Sequence, residues 1–240
     1  VEKYTYLLLN LGSILIPFIF SFEKRLRFVK DWHALFPALL ITAVFFIVWD
    51  HFLTIWGVWG FNPEYITGTW IWSLPLEEWM FFICIPYACM FTYGSLNTLF
   101  PKEPIQKYAQ NITAVWFVIL CVVVVFNTDK LYTGIKLSLT AALLLYVYFQ
   151  RYAWLGKFYR AYFVSLIPFF IVNGVLTKLP VVIYNDAENL GIRLISIPVE
   201  DTQYTLLMLL MNTVLFEHFK EKRTFARSDD NIATTTARHH

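Results

Sequence analysis

The chain has 240 residues, 58% hydrophobic, 19% aromatic and only 15% charged, with a formal net charge of +2 and a mean hydropathy of +0.55. Soluble globular domains carry about a quarter charged residues, so the composition excludes an ordinary soluble core. It also argues against a nucleic-acid partner, because the basic residues gather in loops between apolar runs, where membrane topology accounts for them.

Taken in chain order, the uncharged stretches are Tyr4–Phe22, Ala34–Trp49, Trp79–Phe100, Tyr108–Thr128, Leu137–Gln150, Ala161–Thr177 and Thr202–Phe216. A spanning helix needs roughly 17–25 mostly apolar residues. The longer runs meet that alone and the shorter ones reach it with their flanks. The expected fold is therefore all-α: an integral membrane bundle of about seven transmembrane helices. Lys136 and the Glu200–Asp201 pair crowd the starts of the fifth and seventh. Glu2 and Lys3 precede the first run, and no small-x-small cleavage site follows Phe22, so it is not read as a removable signal peptide. The closing His239–His240 pair is open to reading as a tag remnant.

Charge sets the expected orientation. The loops 23–33, 101–107 and 151–160 and the tail carry Lys24, Arg25, Arg27, Lys30, Lys102, Lys107, Arg151, Lys157, Arg160, Lys220, Lys222, Arg223, Arg227 and Arg238, which is 14 of the 19 basic residues. The opposite side holds Lys3, Lys130, Lys136, Lys178 and Arg193. The positive-inside rule then places the N-terminus outside and the C-terminus in the cytoplasm. Cys84, Cys89 and Cys121 lie in apolar runs without C-x-x-C spacing, and the histidines form no ligand motif, so neither a disulfide framework nor a metal site is expected.

An internal repeat organises the chain. Shifted by 123 positions, "DHFLTIWGVWGFNPEYITGTWIWSLPLEEWMFF" (50–82) lies over "NGVLTKLPVVIYNDAENLGIRLISIPVEDTQYT" (173–205) without a gap, and eight of 33 positions are identical. Chance would give about two or three. Helices 1–3 then correspond to helices 5–7, with helix 4 as connector. The expected division is 1–100 and 131–219 as the two repeats, 101–130 as connector and 220–240 as a polar tail. Three helices plus one is an even number of crossings. Both halves therefore enter the bilayer in the same direction, related by a pseudo-twofold along the membrane normal.

"SLPLEEW" and "SIPVEDT" place Glu77, Glu78, Glu200 and Asp201 at matched helix starts and equal depth. Proline suits the first helical position, and acids there meet free N–H groups and the helix dipole. Helix-start decoration would explain that much. Acids recurring at the mouths of two apolar helices point instead to a functional site. Neighbouring helical residues diverge by about 100°, so one acid of each pair can face a central cavity while the other serves a loop; the sequence leaves open which. Carboxyls drawn together from both halves cannot all ionise, and one keeps its proton. Asp50 and Asn173, each 27 residues before Glu77 and Glu200, are read as orienting groups. Trp49 and Trp79 belong to an aromatic belt, of which a minority could face the cavity and stabilise a cation. Arg193 either pairs with an acid or marks the interface.

These segments, "WD…PLEEWMFF" followed by "NGVLT…YN…GIRL…IPVEDTQY", resemble the membrane-integral lycopene β-cyclases, found as two small subunits or one fused chain in some bacteria, archaea and fungi. The resemblance spans roughly residues 1–219. It implies closure of the linear ends of lycopene to β-rings, giving γ-carotene and then β-carotene. Lycopene and other acyclic carotenoids would be the substrates, membrane lipid the surroundings, and no cofactor would be needed; a homo-oligomer stays open. The chemistry agrees with the residues: an acid, a base, a dry pocket and aromatic faces suffice to protonate an alkene and lose a proton again. No G-x-G-x-x-G dinucleotide fingerprint is present. On this reading Glu77, Glu78, Glu200 and Asp201 are catalytic, with Asp50, Asn173, Trp49, Trp79, Tyr204 and Arg193 in support, and Glu77→Gln or Glu200→Gln abolishes ring formation. The alternatives are a carotenoid hydratase of the same cavity and a small-molecule or proton-coupled transporter with parallel repeats. A retinal photoreceptor would need a lysine within Thr202–Phe216, and a prenyltransferase would need a D-D-x-x-D site; neither is found.

Overall fold

Within lipid a backbone must satisfy its own hydrogen bonds, which leaves apolar runs of this length the α-helix. The computed structural model describes residues 2–237 and contains seven long helices: α1 (Thr5–Phe20), α2 (Trp32–Ile55), α3 (Leu76–Leu99), α4 (Ala109–Phe126), α5 (Leu131–Gln150), α6 (Leu155–Lys178) and α7 (Val199–Ala237). By length and composition, the segments containing α1 to α6 can cross a membrane. α7 is not among those six, and its position explains its more polar sequence. Nearly every residue from Glu200 to Leu210 is buried, so its polar groups meet protein rather than lipid.

Two boundaries differ from the sequence expectation. α5 begins at Leu131, so Lys136 is a buried residue of its second turn and not a flank. α6 begins at Leu155, which shortens the 151–160 loop. Arg160 is drawn onto that helix, where its guanidinium donates to the Phe100 carbonyl and Asn97 Oδ1 and pairs with Glu103 at 2.9 Å. α7 also continues as helix into the stretch read as a polar tail; His239 and His240 lie outside the described residues.

The packing repeats. α1 lies against α3 and α2 against α7; at the equivalent places α5 lies against α7 and α6 against α3, while α4 leans on α5. α2 and α6 share both boundaries at an offset of 123, as do the starts of α3 and α7. α1 and α5 are offset by 126 at their starts and by 130 at their ends, because the link after α1 is longer than the link after α5 and α5 is the longer helix.

At one end of the bundle two loops repeat the same small hairpin. β2 (Trp70–Ile71) pairs with β3 (Leu74–Pro75), and β5 (Arg193–Leu194) with β6 (Ile197–Pro198), in identical antiparallel register. The bend residues Trp72 and Ile195 both have left-handed φ, 57° and 65°, a conformation that costs non-glycine residues of order 1–3 kcal/mol. A third pairing joins the halves: β1 (Trp59–Phe61) runs antiparallel to β4 (Val182–Tyr184), with Trp59 opposite Tyr184. These loops roof the end of the bundle where α3 and α7 begin.

Gly156 holds one close approach: a Cβ there would lie 2.5 Å from the backbone nitrogen of Gln106. Gly156→Ala should lower stability by about 1–3 kcal/mol, read as a fall in the melting midpoint of the purified chain in detergent. Gly134→Ala, in open space on α5, should not lower it.

Candidate active site

The two acidic pairs meet at the roofed end, and all four carboxyls are buried: Glu77 is 0%, Glu78 7%, Glu200 1% and Asp201 5% exposed. Within each pair the roles divide. Glu77 Oε1 accepts the Thr67 N–H at 2.7 Å, and Glu200 Oε1 accepts the Leu190 N–H at 2.7 Å. The matched glycines Gly68 and Gly191, at φ 89° and 69°, turn the chain beside these amides. Glu200 Oε1 also accepts from Thr133 at 2.8 Å, and the Glu77 carbonyl accepts from Asn10 at 2.8 Å. The first acid of each pair thus ties the hairpin loop to the helix start. The Oε2 atoms of both are buried without a hydrogen-bond partner among the described residues.

Glu78 and Asp201 point the other way, into one shared pocket of about 50 Å³ with Asp50. Tyr6 donates to Glu78 Oε2 at 2.6 Å, and Tyr204 donates to Asp50 Oδ1 at 3.0 Å. Asp50 and Glu78 line the same pocket, and carboxyls drawn together in a buried site cannot all ionise. Asp201 is saturated differently. Tyr132 donates to its Oδ1 at 2.8 Å, Tyr184 to its Oδ2 at 2.7 Å, and Lys136 pairs with Oδ1 at 3.3 Å. Lys136 also donates to the Tyr132 hydroxyl and lies 3.9 Å and 4.7 Å from the ring centroids of Tyr132 and Tyr204. Burial, then the Asp201 carboxylate, push the Tyr184 phenol well above its ordinary range, so it remains a donor. Three carboxyls thus line one small hollow, with the Lys136 ammonium beside it on Asp201.

An apolar groove of about 590 Å³ runs from this hollow. α1 contributes Leu8, Leu9, Gly12, Ser13, Ile16 and Pro17; α3 contributes Phe81, Ile85, Ala88, Cys89 and Thr92; α6 contributes Ser165 to Asn173 in part. Phe81, Asn173 and Thr205 line both spaces. Glu78 heads the α3 stripe that continues through Phe81, Ile85, Ala88 and Thr92, the spacing of one helical face. Its carboxyl therefore stands at the inner end of the groove.

Of the residues singled out from the sequence, Glu78, Asp201, Asp50, Asn173 and Tyr204 line the pocket. Three supporting candidates do not. Trp49 packs on Phe46 with ring centroids 6.4 Å apart. Trp79 donates to the Ile71 carbonyl at 3.3 Å and sits edge-on to Trp72. Arg193 pairs with Asp186 at 2.5 Å on the surface; Asn189 and then Arg193 hold the Asp186 carboxyl below its ordinary value. Arg193 cannot reach the buried acids because it lies on the hairpin strand, exposed. Missed were Tyr6, Tyr132, Tyr184, Trp59 and Lys136. Only Lys136 carried a signal, as an ionisable residue at membrane depth.

Neither the curated proteins nor the solved structures compared with the chain gave a match. The family described as lycopene cyclase matches residues 3–96 and 129–219, the two stretches that flank α4 and contain every residue of the carboxyl pocket. That span is well over half of the chain, and its chemistry is an acid-bearing apolar site in a membrane bundle: the protein belongs to the lycopene cyclase family and is a carotenoid cyclase.

Proposed function

We propose that this cyclase closes the acyclic ends of lycopene to β-rings, giving γ-carotene and then β-carotene, as an isomerase with no net redox change. The observation that supports this most is the convergence of the buried Asp50, Glu78 and Asp201 carboxyls in one pocket at the inner end of an apolar groove, where crowding keeps one proton on the Asp50–Glu78 pair. Glu78 gives that proton to the terminal trisubstituted alkene, leaving a tertiary cation. The π electrons of the neighbouring double bond close the six-membered ring and move the positive charge onto a ring carbon. Loss of a ring proton to the deprotonated carboxyl pair forms the β-ring double bond and restores the acid, so one proton enters and one leaves. Asp201, already supplied with donors on both oxygens, acts as a fixed counter-anion; preorganised charge of this kind acts strongly where water is excluded. The rings of Trp59 and Tyr204, which line the pocket, offer faces to the cation.

The catalytic unit comprises both repeats, 1–100 and 131–219, tied by 101–130, since each half supplies carboxyls that the other cannot replace. The roofed end faces the outside, on the charge count, and the C-terminus faces the cytoplasm. The other acids, Glu77 and Glu200, are positioning residues that hold the roof.

In a lycopene-accumulating bacterium the chain should yield ringed pigments; hydroxylated acyclic ends in their place would refute ring closure in favour of hydration. Glu78→Gln should lower turnover by about 10²–10⁴, the usual worth of a general acid. Glu77→Gln, whose amide oxygen still accepts the Thr67 N–H, should keep most activity. Loss of ring formation in Glu77→Gln, as expected from the sequence, with activity kept in Glu78→Gln would return the acid to Glu77. An impermeant thiol reagent on intact cells should label Ile195→Cys, whose native side chain is 93% exposed at the hairpin tip, and spare Lys24→Cys.

A further inference from the structure

The carboxyl pocket is built by two repeats, and the groove leading to it, walled by both, lies on one flank of the bundle. Its walls are α1, α3 and α6; the equivalent position lies between α5, α7 and α2. There the offset of 123 replaces small or slender groove residues with bulky ones: Ala88 by Met211 and Val172 by Trp49; Phe81 gives way to Tyr204. These side chains form a packed cluster around Phe46, whose ring centroid is 5.0 Å from that of Tyr204 and 5.9 Å from that of Phe82. α4 additionally leans on α5. α1, by contrast, buries only Tyr6 and Asn10, both in its first two turns, and its remaining length leaves the groove open toward lipid.

We infer that the linear carotenoid reaches the carboxyls sideways from the bilayer through a single entrance between α1 and α6, and that the pseudo-symmetric route on the α5 side is closed. This rests on the cyclase reading of the pocket and adds the path. The occupant follows from the lining. No charged side chain lines the groove, so a phospholipid headgroup finds no cation there, whereas an extended hydrocarbon finds aliphatic and aromatic walls. The groove also ends at Phe81, Asn173 and Thr205, which border the acids. Gly12 is the gauge of this path: it lines the groove, and a Cβ built on it meets nothing within 4 Å.

The test measures lycopene retained by the purified chain in detergent, beside its conversion. The series Gly12→Ala, Gly12→Leu and Gly12→Phe should lose bound lycopene in order of size, with a loss of tenfold or more for Gly12→Phe. Ser138→Phe, at the equivalent place on α5 by the offset of 126, should stay within twofold of the unchanged chain. Unaltered melting midpoints and elution identify the losses as blockage, and Gly12→Leu carries the test should Gly12→Phe fold poorly. Full retention in Gly12→Leu and Gly12→Phe would mean the groove holds only bilayer lipid, and equal losses at 12 and 138 would mean two routes; either overturns the inference. Binding lost as expected in a chain that forms no rings would leave the entrance standing and refute the cyclase chemistry alone.

Discussion

Carboxyl groups at membrane depth are the constraint on which this architecture depends. An ionisable side chain in the bilayer interior costs several kcal/mol unless protein supplies the solvation that water would give. Here the solvation is built from phenols, one ammonium and backbone amides, and each charge-assisted hydrogen bond contributes about 1.5–3 kcal/mol. Asp201 accepts from Tyr132, Tyr184 and Lys136. Glu77 and Glu200 take backbone donors from the loops that precede them in the chain. The roof of hairpins is therefore part of the electrostatics. It brings amides inward and covers the pocket in which the proposed proton transfer takes place.

The repeat supplies a symmetric frame, and the site departs from it where chemistry needs a direction. Tyr6 and Tyr132 keep the same duty, each donating to the second acid of the pair on the helix beside it. Around them the halves diverge. Asp50 faces Asn173, Lys136 takes the place of Asn10, and Tyr184 and Tyr204 stand where Phe61 and Phe81 do. Extra donors and the ammonium thus gather around Asp50 and Asp201, while the wall of Phe81, Asn173 and Thr205 stays mild and meets the groove. A charged side faces an apolar side across a few ångströms. That gradient supports the proposed carbocation route, with an apolar flank for hydrocarbon and carboxyls on the other.

Most of the scaffold was legible from the chain, because the signals are local or periodic. Uncharged runs of spanning length specify helices, and the matched "SLPLEEW" and "SIPVEDT" stretches place two helix starts at one depth. The supporting residues were harder. Trp49, Trp79 and Arg193 sit near the acids in sequence but turn to Phe46, Trp72 and Asp186. Tyr6 and Tyr132 lie 72 and 69 residues from the carboxyls they serve, and a tyrosine at the head of an apolar helix is indistinguishable from an interfacial anchor until its neighbour is known.

The sequence by itself determined the seven-helix membrane bundle, the duplication and the presence of paired acids at matched helix starts, since hydropathy, helical pitch and the offset of 123 are properties of the chain alone. Tertiary structure alone decided which acid of each pair faces inward, that Lys136, Tyr6, Tyr132 and Tyr184 join them, and that a groove opens on the α1–α6 side. Those outcomes depend on helix rotation and on which distant side chains fill a shared space, and neither is encoded in any single stretch of residues.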